Sequence, residues 1–408
     1  MRVAGPAVVE RLSLEWRGIG EALAAEQAVF EATQARSRRI GAHCRAALVQ
    51  FHVGDLDASR NSVAKVRGEG SSEALATVEA TLSFLDTGSF PEQSPFLEDE
   101  DYLAGLTGAA QELARYATRR ATCGDVQSVA VCRAAVDGLQ TSLVEFDFRN
   151  GPLRRKFDGL KYALRTLTDL LYEQSLVGRP APHVEAASLD LAAIKERYDA
   201  QDAARELVIK KSRDVQKGAK QAIFALHRQD FRGAERLIAT SAGQARGMLD
   251  DLVAPFPSLR RSCSPCLEEW AEAALFRAWL VDPKRISDSM ELGLPLTPEE
   301  YLGGVADLTG ELGRVAVLAA TNRDVDRVNQ IYATSVAILE QFTLLGDLPP
   351  KLAKKTDALR TAVRKLETIN YDLAFAASNN KRPHSAAFGD GEPAARSSAR
   401  DDDDNHDA

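Results

Sequence analysis

Thr297-Pro298-Glu299-Glu300-Tyr301-Leu302-Gly303-Gly304-Val305-Ala306-Asp307-Leu308-Thr309-Gly310-Glu311-Leu312 reads as the start of a helix, and its reading decides the fold. Thr297 is a good N-cap, Pro298 suits the first helical position, and Glu300 completes a capping box. Leu302, Val305, Ala306, Leu308, Leu312, Val315 and Leu318 continue at helical spacing and make an apolar surface wide enough to be mostly buried. Asp307 and Glu311 stand in that surface, four residues apart and so on one helical face. Two carboxylates in a buried stripe are costly unless something positive neutralises them.

The same helical character extends along the chain. Runs rich in Ala, Leu, Arg and Glu at 3.6-residue spacing predict helices over 15–53, 56–68, 71–87, from Glu98 onward, 124–147 and 151–176. Gly178, Pro180 and Pro182 interrupt the pattern, so 177–188 reads as a linker. A second set is predicted over 189–228, 230–252, 264–281, 298–321, 324–344 and 350–376. Strand signals are scarce, and the expected class is all-α. From 379 the chain is rich in Ser, Gly, Pro and charge and reads as a disordered acidic tail.

The two sets form a repeat. Asp101-Tyr102-Leu103-Ala104-Gly105 matches Glu300-Tyr301-Leu302-Gly303-Gly304 at an offset of 199. The same offset relates Glu112 to Glu311, Arg115 to Arg314, Asp125 to Asp324, Asp158 to Asp357 and Tyr172 to Tyr371. The expected division is 1–180 for the first copy, 181–378 for the second and 379–408 for the tail.

The copies differ at the acids. The mate of Asp307 is Gly108, and the first copy keeps only Glu112. Upstream, Cys266-Leu267-Glu268-Glu269-Trp270-Ala271-Glu272-Ala273-Ala274-Leu275-Phe276 places Glu269 and Glu272 three apart on one face. Anchoring on Phe84 and Trp279 sets Ala74 and Thr77 opposite them, while the 199 offset recovers Glu73 alone. If the two helices face each other, Glu269, Glu272, Asp307 and Glu311 converge. Four such acids would raise one another's pKa values unless a divalent cation is present. Oxygen-only ligation suits Mg²⁺ or Mn²⁺, and such a site can polarise a phosphodiester and activate water. The alternative is that each acid pair lies on a solvated helix face.

A net charge of -8 argues against general coating of nucleic acid but leaves room for a local basic groove. Basic clusters occur at Lys210, Lys211, Arg213, Lys217 and Lys220, at Arg260 and Arg261, and at Arg154, Arg155 and Lys156. Phosphate contacts would use such groups, and Arg260-Arg261 is favoured because it precedes the glutamate helix. His227 reads as a packed helix residue rather than a base, and Gly303, Gly304 and Gly310 read as allowing close helix packing. Cys263 and Cys266 have C-x-x-C spacing without a second pair, so this pair reads as incidental thiols. No apolar run approaches the ~20 residues that span a bilayer. Glu10 and Glu15 interrupt the one apolar stretch at the N-terminus, and the expectation is a soluble intracellular protein, cytoplasmic, nuclear or both.

Asp307-Leu308-Thr309-Gly310-Glu311 and its flanks resemble the signature of the translin and translin-associated factor X family. Segments 207–214 and 222–228 resemble early helices of factor X, whereas 23–27 and 153–162 are similar to translin. The resemblance covers about residues 15 to 376 and implies a translin-like first half fused to a factor-X-like second half. It implies two seven-helix domains, assembly into a hollow, barrel-like homo-oligomer, and Mg²⁺-dependent endoribonuclease activity on single-stranded RNA. Passenger strands of small interfering RNA and precursor-tRNA fragments are the implied substrates, and single-stranded DNA an implied ligand. Carried over residue by residue, the family's catalytic and metal-binding acids are Glu269, Glu272, Asp307 and Glu311. The competing expectation is a non-catalytic module that binds single-stranded RNA or DNA, or a scaffold.

Overall fold

A computed structural model describes residues 6–186 and 188–379. Among them are twelve α-helices and no β-strand. These are α1 (Pro6–Val53), α2 (Leu56–Ala64), α3 (Glu73–Thr87), α4 (Asp99–Thr122), α5 (Val126–Leu143) and α6 (Pro152–Leu176). The second set is α7 (Ala192–His227), α8 (Phe231–Met248), α9 (Arg260–Val281), α10 (Pro298–Thr321), α11 (Val325–Leu344) and α12 (Pro350–Asn379). Each copy thus holds six α-helices rather than seven. In the second, a π-helical turn (Leu249–Val253) and a 3-10 turn (Pro257–Leu259) fill the α8–α9 connection. The tail expected from 379 lies, beyond Asn379, outside the described residues.

Local chemistry explains the boundaries. The capping box forms at α10: the Thr297 hydroxyl accepts from the Glu300 amide at 3.2 Å, and the Glu300 carboxylate accepts from the Thr297 amide at 2.9 Å. Asp125 and Asp324, 199 residues apart, cap α5 and α11 by accepting from Ser128 and Arg327 amides. Asp55 and Asp230 do the same for α2 and α8. The start of α9 departs from expectation. The expected start was 264, yet the 3-10 turn leads directly into helix at Arg260, one turn earlier.

The chain packs as two compact units. One is Ala24–Leu207; the other comprises the described residues from Val208 onward and those of α1 up to Leu23. The division therefore falls inside α7 and not at the 177–188 linker. The reason is apolar: Leu191 and Ile194, at the start of α7, belong to the same buried cluster as Leu103, Leu113, Val136 and Leu160. Arg197 adds a bidentate pair with Asp99 at 2.6 and 2.8 Å. In the other unit, Trp16 of α1 is buried edge-on against Phe342 of α11, ring centroids 5.1 Å apart.

Each unit is built around one central helix. In the first, α4 packs against α3, α5 and α6; in the second, α10 packs against α9, α11 and α12. Close approach is enforced by glycine. A Cβ on Gly304 would lie 2.7 Å from the Ala271 Cβ and 3.0 Å from the Glu272 amide nitrogen, so only glycine lets α9 and α10 meet there. Gly303 likewise leaves room for the Glu268 carboxyl group. Gly310 does not act this way, since an added Cβ would meet nothing within 4 Å. Leu318 also departs from the expected apolar face and is 58% exposed. No helix of the described residues is long and apolar enough to cross a membrane.

Candidate metal centre

The α9–α10 contact brings Glu268, Glu269 and Glu272 on one helix to Asp307 and Glu311 on the other. Glu268, Glu272 and Glu311 are buried. Glu272 feels the charges of the set. Burial first, then the charges of Asp307, Glu311 and Glu269, push its carboxyl up to about 8, with the Lys355 ammonium working against them. The four acids therefore share one electrostatic environment. The solvated-face alternative does not hold for Glu272 or Glu311.

They are not, however, drawn together as ligands. Among the described residues no group of three or more His, Cys, Asp or Glu side chains is gathered to hold a metal ion. Four of the five acids are instead engaged by neighbouring side chains. The Lys355 Nζ on α12 donates to Asp307 Oδ2 at 2.5 Å, to Glu268 Oε2 at 3.1 Å and to the Gly303 carbonyl at 3.1 Å. Lys351 pairs with the other Glu268 oxygen. His227 Nε2 lies 2.5 Å from Glu311 Oε2, and Arg314 donates to Glu311 at 3.0 Å. Glu269 accepts from Gln216 at 3.4 Å and faces Lys220 at 3.9 Å. Burial works against the Lys355 ammonium, yet the hydrogen bond and charge of Asp307 and the charge of Glu268 hold its pKa above the ordinary lysine value.

The donor chemistry fits a hard divalent cation. Glu269, Glu272, Asp307 and Glu311 offer carboxylate oxygens only, and a cation would let Glu272 ionise where neighbouring charge now opposes it.

The first unit settles which residues correspond. A Cβ on Gly105 would crowd the Ala76 Cβ and the Thr77 amide, as one on Gly304 would crowd Ala271 and the Glu272 amide. Thr77 is thus the mate of Glu272, which makes Ala74 the mate of Glu269 and Glu73 the mate of Glu268. The Phe84–Trp279 anchor is the correct one, at an offset of 195, and four extra residues lie between it and the 199 register of α10. Thr77 also fills the space beside Gly108, its Oγ1 only 2.5 Å from where a Cβ would stand.

What the units share is a frame. His52 bonds Glu112 and Arg115 pairs with Glu112, as His227 and Arg314 do with Glu311. Lys156 pairs with Glu73 at 2.5 Å, as Lys355 does with Glu268. Of the acids, only Glu269, Glu272 and Asp307 are added in the second unit, together with Lys351, whose equivalent in the first is Pro152. His227 is therefore more than the packed helix residue expected, although its ring also lies 5.0 Å from Phe276. Glu268, Lys351 and Lys355 were missed. The signal was available in Lys156 and Lys355, a charge kept at an offset of 199.

The expected phosphate contacts divide. Arg260 bonds Glu300 at 2.9 Å and the Pro295 carbonyl at 2.7 Å, and so braces the start of α10. Arg154 spans to Asp158 at 3.1 Å and Lys156 pairs with Glu73. Lys210, Arg213, Arg155 and Arg261 are exposed, and Lys211 is half-buried. Cys263 and Cys266 are free and buried, their thiols pushed by burial up to about 11 and about 12, which keeps them unreactive.

A family model described as the Translin family matches residues 61–178 and 203–375. The chain is 32% identical over 106 residues to translin of Gallus gallus, a match covering 26% of this chain and 46% of that protein. It is 24% identical over 241 residues to translin-associated protein X of Mus musculus, covering 50% of this chain and 83% of that protein. The match thus spans about half the length of the chicken translin. Among solved structures it is similar to an AfC3PO–duplex RNA complex, with 22% identity, a TM-score of 0.41, and coverage of 47% of this chain and 100% of that one.

Proposed function

The chain belongs to the translin family, and from that premise we propose that it is a Mg²⁺-dependent endoribonuclease acting on single-stranded RNA. One observation carries the reading. Glu269, Glu272 and Asp307 are added, in one copy only, to a frame that both copies keep. Three acids added to an apolar helix contact cost stability, and the raised Glu272 carboxyl is the visible part of that cost. A divalent ion held by Glu269, Glu272, Asp307 and Glu311 would supply the charge that polarises a phosphodiester and acidifies a water. The chain's own residues do the rest. His227 and Arg314 orient Glu311, Arg260 fixes the start of α10, and exposed Lys210, Arg213, Arg155 and Arg261 offer phosphate contacts. One of the acids accepts the proton of the attacking water.

The test is incubation of end-labelled single-stranded RNA with the wild type and Asp307→Ala, in Mg²⁺ or EDTA. Cleavage is expected from the wild type in Mg²⁺ alone. Equal cleavage by both proteins would sink the site, and RNA retention without cleavage would favour the non-catalytic binding module.

Assembly into a homo-oligomer goes with this reading. Tyr172 and Leu176 on α6, and their mates Tyr371 and Phe375 on α12, are exposed at equivalent positions, which supports repeated use of one surface. Four chains would close an eight-domain barrel with four acid sites. A native mass equal to one chain would exclude it.

A further inference from the structure

Lys355 is placed where a cation ligand would be. Its ammonium is caged by oxygens alone: Asp307 Oδ2, Glu268 Oε2 and the Gly303 carbonyl, at 2.5, 3.1 and 3.1 Å. Three N–H donors meet three acceptors, so the group is saturated. The side chain is 19% exposed, and the stem reaches the acids from α12.

The first unit separates the two halves of this arrangement. Lys156 holds Glu73 there, and the position of Asp307 is Gly108. The lysine–glutamate pair is thus part of the shared frame, needed where no acid site exists. Asp307 is the addition, set within reach of an ammonium already anchored on Glu268. The carboxylate that distinguishes the acid unit is consequently engaged by a charge of the protein itself.

We propose that Lys355 is an internal counter-cation that holds Asp307 when no divalent ion is bound, so that Lys355 and the ion compete for the same carboxylate. The inference rests on the metal reading above and adds to it a positioning residue that acts through Asp307. Binding of the ion turns Asp307 away from Lys355, which stays anchored on Glu268. Asp307 is thereby kept neutralised until the ion arrives, and the affinity for the ion is set lower than the acids alone would give.

The experiment titrates Mn²⁺ into RNA-free protein, followed by calorimetry or electron paramagnetic resonance, for wild type, Lys355→Met, Lys351→Met and Glu272→Gln. Lys355→Met is expected to bind Mn²⁺ about tenfold more tightly, the worth of one charge-assisted hydrogen bond released. Lys351→Met, which touches Glu268 but not Asp307, is expected to stay within about twofold. A lysine with only a bracing role would weaken the site when removed, so equal or weaker binding by Lys355→Met overturns the proposal while the metal site stands. If the wild type binds no Mn²⁺ that Glu272→Gln removes, the metal reading falls and the competition with it. A second measurement needs no variant. Acylation of Lys355, read by mass spectrometry in the wild type, should accelerate several-fold on adding Mg²⁺ while Lys351 stays constant, since Lys355 loses its Asp307 partner. An unchanged Lys355 rate overturns the proposal.

Discussion

Glu272 carries the sharpest chemical consequence of the fold. In the unfolded chain it ionises near the ordinary 4.5, and in the folded chain without an ion at about 8. Between those values the unfolded state binds fewer protons, so stability falls as pH rises through this window and stays low above it. Glu272→Gln removes the ionisation. Without divalent ions the variant should melt several degrees higher than the wild type at pH 8.5 and about level with it at pH 4.5, read by thermal unfolding. Mg²⁺ should narrow the difference at pH 8.5 by stabilising the wild type alone. Glu272 itself was legible in the sequence, because an acid inside an otherwise apolar helix face has few explanations. Its neighbour Lys355 was marked only by the charge it shares with Lys156, and its partner was not. The pairing with Asp307 joins residues 48 positions apart, and only the packing of α12 on α10 creates it.

At the level of elements, the site depends on how closely α9 and α10 approach. Gly304→Ala would force its Cβ against Ala271 and the backbone of Glu268 and Glu272. It should cost about 1–3 kcal/mol in urea unfolding and weaken Mn²⁺ binding, since the helices bearing the acids must separate. Gly310→Ala, with open space around it, should instead stabilise by up to about 1 kcal/mol through helix propensity. The shared frame makes a stronger demand. Ala74→Glu, Thr77→Glu and Gly108→Asp together place three acids beside Lys156, Glu112 and His52, and Thr77→Glu removes the hydroxyl that blocks position 108. The triple variant should raise the Mn²⁺ stoichiometry from one to two per chain, and an unchanged stoichiometry would show that the first frame cannot host the ion. The start of α10 could be read because Thr297, Pro298 and Glu300 are all local signals. The glutamate register could not, because four residues inserted after α9 shift one helix against the next. The Arg260–Glu300 pair was hidden for a related reason, its two residues lying 40 positions apart.

For the molecule as a whole, the all-α class and the tandem copies were open to a reader of the sequence, since apolar spacing and a constant 199 offset are one-dimensional patterns. The way the chain divides between units was not. The buried Trp16–Phe342 contact ties a residue near the N-terminus to α11, more than 300 positions later. Truncation to alanine at Trp16 should cost about 3–5 kcal/mol, read as loss of Mn²⁺ binding on mild heating before the first unit unfolds. The same contact also imposes an order in time. As the chain leaves the ribosome, Ala24–Leu207 can close on itself, whereas Trp16 must wait unpartnered until α11 has been made. The acid-bearing unit therefore matures last. A gene split at the 177–188 linker would not yield two self-sufficient halves, because the half with the acids would leave its tryptophan on the other.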